Sequence, residues 1–180
     1  MSNRIIHLSD HQRLLLQKVM SGEIAIEEVA PDLQPLASLE VVLNEYNLAK
    51  VNLDNNCLRQ VLYALAFFLV DSEKMALYRL VLLDNWHQEH DELISALQID
   101  PNKSAMNADV IKWNVLHIPD YLNADGDIKD AFVKKCLYAL VAQTAPESLE
   151  ALMELQESDD EIIKKQAVFQ LQKLQGTRYS

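Results

Sequence analysis

The chain has 180 residues, 49% of them hydrophobic, and its formal net charge at pH 7 is −11. The apolar content excludes a disordered chain and provides for a domain with a substantial core. The acidic balance disfavours direct binding to nucleic acid or to an anionic membrane surface. It suits a basic partner, although simple solubility would explain it equally well.

The residue composition favours an all-α fold. Only three glycines are present, fewer than the turns of an all-β or α/β protein of this length normally need, and helix-forming Leu, Ala, Glu and Gln are abundant. Cys57 and Cys136 lie in apolar helical runs and are predicted to be buried free thiols. Residues 1–10 lack the apolar segment of a secretory signal, and the longest apolar run, 62–70, is too short to cross a bilayer, so we expect a cytoplasmic protein.

Capping and helix-breaking residues divide the chain into helices. Ser9 caps the first predicted helix, Gly22 ends it, and Pro31 ends the second. The predicted helices cover residues 10–21, 24–30, 35–47, 54–70, 72–83, 85–97, 108–117, 128–142, 147–156 and 159–175. Pro101 opens a polar stretch, and residues 119–127 form the clearest predicted loop.

One segment of the sequence occurs twice at a fixed offset. Leu-Tyr-Ala-Leu at residues 62–65 returns at 137–140, 75 residues later. The same offset aligns further pairs, namely Ala76 with Ala151, Leu77 with Leu152, Leu80 with Leu155, and Asp84 with Asp159. A fixed period in helical sequence indicates stacked helix pairs that complete one core against their neighbours. We predict a single domain over residues 1–180, a right-handed α-solenoid with HEAT-like repeats at 51–175 and an N-terminal helical cap at 1–50.

Residues 84–92 carry the richest set of chemical groups in the chain. If Asp84 caps a helix that begins at once, the spacing places the side chains of His87, His90 and Asp91 on one helical face. The favoured interpretation is a capped helix start with Trp86 packed inward. The two histidines would then make hydrogen bonds or contact a partner.

Metal binding and catalysis are the less favoured interpretations. A metal site at the histidines would need a further ligand, such as Asp91 or His117, and a supporting second shell, and no HExxH motif is present. Residues 120–127 resemble a calcium loop, but the twelfth position counted from Asp120 is Ala131 where an EF-hand has glutamate. The sequence shows neither a phosphate-binding glycine loop nor a nucleophile elbow. We therefore predict no cofactor, no metal and no enzymatic activity.

Three segments are distinctive, namely Trp-His-x-x-His at 86–90, Asp-Tyr-Leu at 120–122 and Lys-Cys-Leu-Tyr-Ala-Leu at 135–140. Together with the helix pattern, they resemble a family of small bacterial HEAT-repeat proteins encoded beside polymorphic or Rhs-type toxin genes. The resemblance covers about residues 58–171 and is not close over 98–117. Asp91 also stands where that family commonly has glutamate after the second histidine.

The resemblance implies an immunity protein that neutralises a cognate toxin by stoichiometric binding. Such an inhibitor needs nanomolar or tighter affinity, about −12 kcal/mol or beyond. Acidic side chains on a rigid helical stack would speed the capture of a basic toxin domain, for example a nuclease. The residues expected on or near the binding face are Trp86, His87, His90, Asp91, Tyr121, Asp125 and Asp127.

Two other classes of protein stay open. A general HEAT-repeat scaffold or regulatory subunit would bind several host proteins, whereas an immunity protein selects one. A relative of HEAT-fold DNA glycosylases or of bilin lyases would be an enzyme, but a glycosylase needs a basic DNA groove that an acidic chain does not favour. The oligomeric state and the identity of the toxin are not determined by the sequence.

Overall fold

A computed structural model describes residues 7–100 and 103–177. Within these ranges the chain forms eleven α-helices, one 3-10 helix and no strand, which confirms the all-α prediction. The chain divides into two compact units, of which the first ends at Leu77 and the second begins at Tyr78. Residues 1–6, on which the expectation of no secretory signal partly depends, and Pro101 lie outside the described residues.

The helices follow one another along the chain with short connections. Their bounds are α1 Asp10–Met20, α2 Ile26–Val29, the 3-10 helix Gln34–Ala37, α3 Leu39–Asn52, α4 Asn55–Phe68, α5 Asp71–Val81, α6 His90–Ile99, α7 Ala105–Leu116, α8 Asp120–Asn123, α9 Gly126–Ala142, α10 Pro146–Leu155 and α11 Glu161–Thr177.

Several predicted helix boundaries are wrong, and the predicted loop at 119–127 contains the short helix α8, Asp120–Asn123. The helix predicted at 35–47 is a 3-10 helix followed by α3, because Ser38 between them has an extended backbone with φ −100° and ψ 119°. The helix predicted at 85–97 begins only at His90, so residues 84–89 form an irregular turn after α5. That turn contains most of the chemically rich segment.

The first unit is built around α4, which packs against α1 and α3 and buries Leu58 completely. Glu45 of α3 is a fully buried carboxylate in this unit. It accepts a hydrogen bond from the Leu8 backbone N–H at 2.9 Å, lies 3.1 Å from His7 Nδ1, and pairs with the Arg13 guanidinium. These partners offset the free-energy cost of burying the carboxylate charge. Removal of any one of them would leave that cost less well compensated and would destabilise the fold.

The second unit is built around α9, which packs against α6, α7 and α11, while α10 packs against α7 and α11. The buried side chains of α9 lie on one broad face of the helix, and they are Phe132, Val133, Cys136, Leu137, Ala139 and Leu140. The opposite face carries the charged Lys134.

Both cysteines are free and buried, as predicted. Burial raises the pKa of each thiol, at Cys57 in spite of the Arg13 guanidinium, whose Nη1 lies 3.1 Å from the sulfur. Both thiols are therefore protonated near neutral pH and behave as small apolar side chains.

The repeated segments 62–65 and 137–140 occupy equivalent registers of α4 and α9. In each, the first, third and fourth residues are buried. The second residue faces outward in both copies, Tyr63 being 41% exposed and Tyr138 half-buried. The sequence repeat thus extends to one exposed position, which core packing alone does not require.

A network of buried amides connects the helices of the second unit. The fully buried Asn107 donates from Nδ2 to Asp100 Oδ2 at 3.1 Å and to Gln143 Oε1 at 2.9 Å. Its Oδ1 accepts from Arg79 Nη1 at 2.9 Å, and Gln143 Nε2 donates to the Leu97 carbonyl at 2.9 Å. Each of these buried polar groups has its hydrogen bonds satisfied by the next group in the network. The network therefore favours one arrangement of α6, α7 and α9.

We expect Asn107→Ala to lower the free energy of unfolding of the second unit by about 2 to 4 kcal/mol, because it leaves several buried polar groups without partners. Urea denaturation followed by tryptophan fluorescence measures this unit alone, since both tryptophans, Trp86 and Trp113, belong to it. The exposed Asn123→Ala is the matched control. Equal denaturation midpoints for the two variants would contradict the prediction.

Candidate functional site

The turn at residues 84–89 is held by the buried side chain of His87. Its Nε2 lies 2.9 Å from the Val81 carbonyl oxygen, and its Nδ1 lies 3.1 Å from the Glu89 backbone nitrogen. The carbonyl can only accept and the backbone N–H can only donate, so Nε2 carries the proton and the ring is neutral. The side chain thus takes the place of backbone hydrogen bonds that a continuous helix would have made.

His90, the first residue of α6, makes a similar hydrogen bond to a backbone carbonyl six residues before it in the sequence. Its Nε2 donates to the Asp84 carbonyl oxygen at 2.8 Å, and its Nδ1 lies 3.3 Å from the Tyr121 hydroxyl. The rings of His87 and His90 are stacked, with centroids 4.2 Å apart and planes 15° from parallel. Burial, and next the neighbouring His87, lowers the pKa of His90 to about 4, and burial also lowers the pKa of His87.

Two aromatic side chains flank the stacked imidazoles. The half-buried Trp86 meets the His87 ring edge-on at 5.4 Å, and its Nε1 donates to Asp84 Oδ2 at 3.3 Å. Tyr121 of the short helix α8 lies on the other side, with its ring 5.9 Å from that of His90. The contact between Tyr121 and His90 connects α8 to the start of α6.

The surroundings of Tyr121 are acidic. Burial raises the pKa of its hydroxyl, and the nearby carboxylates of Glu92, Glu89 and Asp91 raise it further. Glu92 is exposed, whereas Asp91 is half-exposed and forms an ion pair with Lys135 of α9. The ammonium of Lys135 thus offsets one carboxylate of this group.

The predicted loop carboxylates lie at the start of α9. Asp125 is the N-cap of this helix, where its Oδ1 accepts from the Asp127 N–H at 2.8 Å and from the Ile128 N–H at 3.4 Å. Both Asp125 and Asp127 are exposed, as is Asp120 at the start of α8. We call the four exposed carboxylates of Glu92, Asp120, Asp125 and Asp127 the acidic surface.

The structure brings the aromatic and histidine side chains of the predicted face into contact with one another, and it places Asp125 and Asp127 at the start of α9. His87 and His90 are 1% and 0% exposed, so they lie beneath the surface and support it without being available to a partner. Trp86 and Tyr121 are partly accessible, and Trp86 packs inward only in part. The prediction of one helical face is wrong, since His87 precedes the helix.

His117, weighed as a further ligand, does not join the histidine pair. His117 directly follows the last residue of α7, and its ring stacks on that of Trp113 in the same helix, with the centroids 4.5 Å apart. In the part of the chain that the structure describes, no three His, Cys, Asp or Glu side chains are grouped so that they could hold a metal ion. Glu92 and Asp120 were missed by the sequence reasoning, although each is an acid in the first turn of a helix.

Comparisons with known proteins identify no relative. No protein-family profile, curated protein or solved structure matches the chain. Among the described helices, none combines the length and the apolar character that a bilayer span requires.

The second unit should lose stability as the pH falls below 6.5. The pKa of His90 is about 4 in the folded chain against 6.5 ordinarily, so the unfolded chain takes up the proton first and the neutral ring stabilises the fold only at higher pH. We expect His90 to account for a loss of about 2 kcal/mol between pH 7 and pH 5. Urea denaturation followed by tryptophan fluorescence at both pH values measures the loss.

His90→Gln can still form hydrogen bonds but cannot take up a proton in this range, so we expect it to reduce the pH dependence. The matched control is His117→Gln, which replaces an exposed imidazole of the same unit. The explanation fails if His90→Gln and the unmodified chain lose the same free energy between the two pH values.

Proposed function

We propose that the chain is a cytoplasmic immunity protein that binds a cognate bacterial toxin domain and neutralises it by stoichiometric inhibition, without catalysis. The observation that carries this proposal is the acidic surface, whose Glu92 lies in the first turn of α6, the helix that begins at the buried His90. The resemblance of residues 86–90, 120–122 and 135–140 to toxin-associated HEAT-repeat proteins supports the same role.

The acidic surface has the electrostatic character that a basic partner requires. Its carboxylates add to a net charge of −11, so the chain attracts a basic domain, such as a nuclease, over a range of about 10 Å at moderate salt. Because the turn beneath is fixed by side-chain hydrogen bonds, little conformational freedom would be lost on binding.

The partly accessible aromatic side chains would contribute affinity. Trp86 and Tyr121 lie beside the acidic surface and are backed by the buried imidazoles. Partly buried Trp and Tyr side chains often contribute most of the binding energy at an interface. The charges around them act mainly on the rate of encounter. We therefore expect the carboxylates to determine mainly the association rate constant. The aromatic side chains would determine mainly the lifetime of the complex.

We also propose that the helix pairs are HEAT-like repeats of a right-handed solenoid. The support is the shared register of 62–65 in α4 and 137–140 in α9, where buried and outward positions coincide. Repeat arrays of this kind present extended binding surfaces, in keeping with a role in protein binding.

The proposal is tested by purifying the tagged chain from its native cells at moderate salt and identifying what accompanies it. We expect one stoichiometric basic protein that stops growth when expressed alone and is tolerated when the chain is expressed with it. Several substoichiometric partners, none of them toxic, would instead favour a general scaffold.

Charge reversal at the acidic surface should slow capture of that partner. We expect Asp120→Lys combined with Asp127→Lys to lower the association rate constant by about tenfold or more at low salt while the dissociation rate changes less. Surface plasmon resonance at two salt concentrations measures both rates. The matched control is Glu147→Lys with Glu150→Lys, which makes the same change in net charge at exposed positions of α10. Equal slowing by both pairs would attribute the effect to net charge and remove the acidic surface from the proposal.

Asp125 needs a different substitution because it also caps α9. Asp125→Ser removes the charge and keeps a capping oxygen, whereas Asp125→Lys would also cost about 1 kcal/mol of helix stability. We expect Asp125→Ser to slow association without lowering the urea midpoint. A lower midpoint with unchanged association would assign Asp125 to the fold alone.

A further inference from the structure

A group of basic and aromatic side chains lies where α9 and α11 pack together. Its members are Lys134 and Tyr138 of α9 and Lys165, Phe169 and Lys173 of α11, and we call it the basic face. The three lysines are exposed, Phe169 is 44% exposed, and Tyr138 is half-buried. Such a concentration of positive charge is unexpected in a chain with a net charge of −11.

The basic face contains a small cleft of about 230 Å³, lined by Lys134, Lys165, Gln166 and Phe169. The buried Gln166 is fixed, since its Nε2 donates to Asp130 Oδ1 at 2.8 Å. The cleft has room for one side chain, with two ammonium groups at its margin and an aromatic ring in its wall. An acid beside an apolar residue is the ligand that this arrangement fits.

Lys173 is held next to the cleft by aromatic contacts. Its Nζ lies 5.0 Å from the ring centroids of both Tyr138 and Phe169, and it donates to the Tyr138 hydroxyl at 2.9 Å. Lys173, and next Gln170, lowers the pKa of the Tyr138 hydroxyl. Gln170 is 2% exposed, and within the described structure its Nε2 has no hydrogen-bond partner of good geometry. The exposed Lys173 ammonium is held at this surface by the rings of Tyr138 and Phe169.

The sequence repeat provides an independent observation. A base followed four residues later by tyrosine occurs at Lys134 and Tyr138 of α9, and at Arg59 and Tyr63 of α4. Arg59 is exposed, and Tyr63 lies 5.6 Å from the ring of the exposed Phe67. Each unit therefore displays a base beside an aromatic side chain at the same register. Packing of the core does not account for exposed positions that repeat.

We propose that the basic face binds a short acidic peptide segment of a partner protein. A carboxylate of the segment is bound by Lys134 and Lys165, and a neighbouring apolar side chain packs against Phe169. A nucleic acid fits less well, because every residue of a polyphosphate carries a charge that the net charge of −11 repels, whereas a peptide can alternate its acids with apolar side chains that pack against Phe169. This inference is independent of the proposed function, which concerns the opposite charge on a different surface.

The test uses the full chain and a fluorescein-labelled peptide, Glu-Glu-Phe-Glu-Glu-Phe-Glu-Glu, with binding followed by fluorescence anisotropy. We expect saturable binding of this peptide, and none of the peptide in which glutamine replaces every glutamate. Lys134→Glu combined with Lys165→Glu should weaken binding at least about tenfold. Lys164→Glu, an exposed neighbour that does not line the cleft, should change it less than about threefold.

Two further measurements separate the contributions. Phe169→Ala removes the apolar wall while keeping every charge, and we expect it to weaken binding of the peptide as well. An octamer of thymidylate carries negative charge without apolar side chains, and we expect it to bind more weakly than the peptide. Absence of saturable peptide binding, equal loss in Lys164→Glu, or tighter binding of the thymidylate octamer would each overturn the proposal.

Discussion

Two neutral imidazoles, buried with their centroids 4.2 Å apart, determine how the chain leaves α5 and enters α6. His87 and His90 each donate from Nε2 to a backbone carbonyl, at Val81 and at Asp84. Two protonated rings at this distance would repel each other in a site shielded from water, so the arrangement requires that both remain neutral. Trp86 and Tyr121 of α8 contact these rings, and α6 begins at His90.

This dependence also explains which parts of the structure the sequence could predict. Ser9 caps α1 as expected, because a capping side chain bonds to the backbone within its own turn and the signal is local. The burial pattern shared by 62–65 and 137–140 is likewise local, but the same offset also pairs Leu80, which is 42% exposed, with Leu155, which is 2% exposed. These features depend on residues that are neighbours in the chain.

The turn at 84–89 could not be predicted in this way. His87 and His90 are three residues apart, a spacing equally compatible with a helix and with the stacked arrangement observed. What decides between them is hydrogen bonding to carbonyls six residues upstream and contact with Tyr121, which lies 31 residues from His90. Such contacts leave no periodic signal in the sequence. The sequence therefore predicts a helix start at residue 85, whereas α6 begins at His90.

The net charge conceals an uneven distribution within the second unit. Carboxylates concentrate at the starts of α6, α8 and α9, while lysines concentrate where α9 meets α11. A value of −11 for the whole chain describes neither surface, although it was the basis for expecting a basic partner. Short-range recognition is determined by local groups, whereas the net charge acts mainly on the rate of encounter.

The position of the acidic surface permits a purely structural explanation that has to be separated from recognition. Glu92, Asp120 and Asp127 each lie in the first turn of a helix, where the helix dipole favours a negative charge. Glu147 occupies the same kind of position in α10. If dipole stabilisation were the whole explanation, reversing any of these charges would lower stability by similar amounts and none would matter specifically for binding. If the acidic surface takes part in recognition, charge reversal at Asp120 and Asp127 must slow association more than charge reversal at Glu147. The contribution of the helix dipole is common to the three positions and therefore cancels in this comparison.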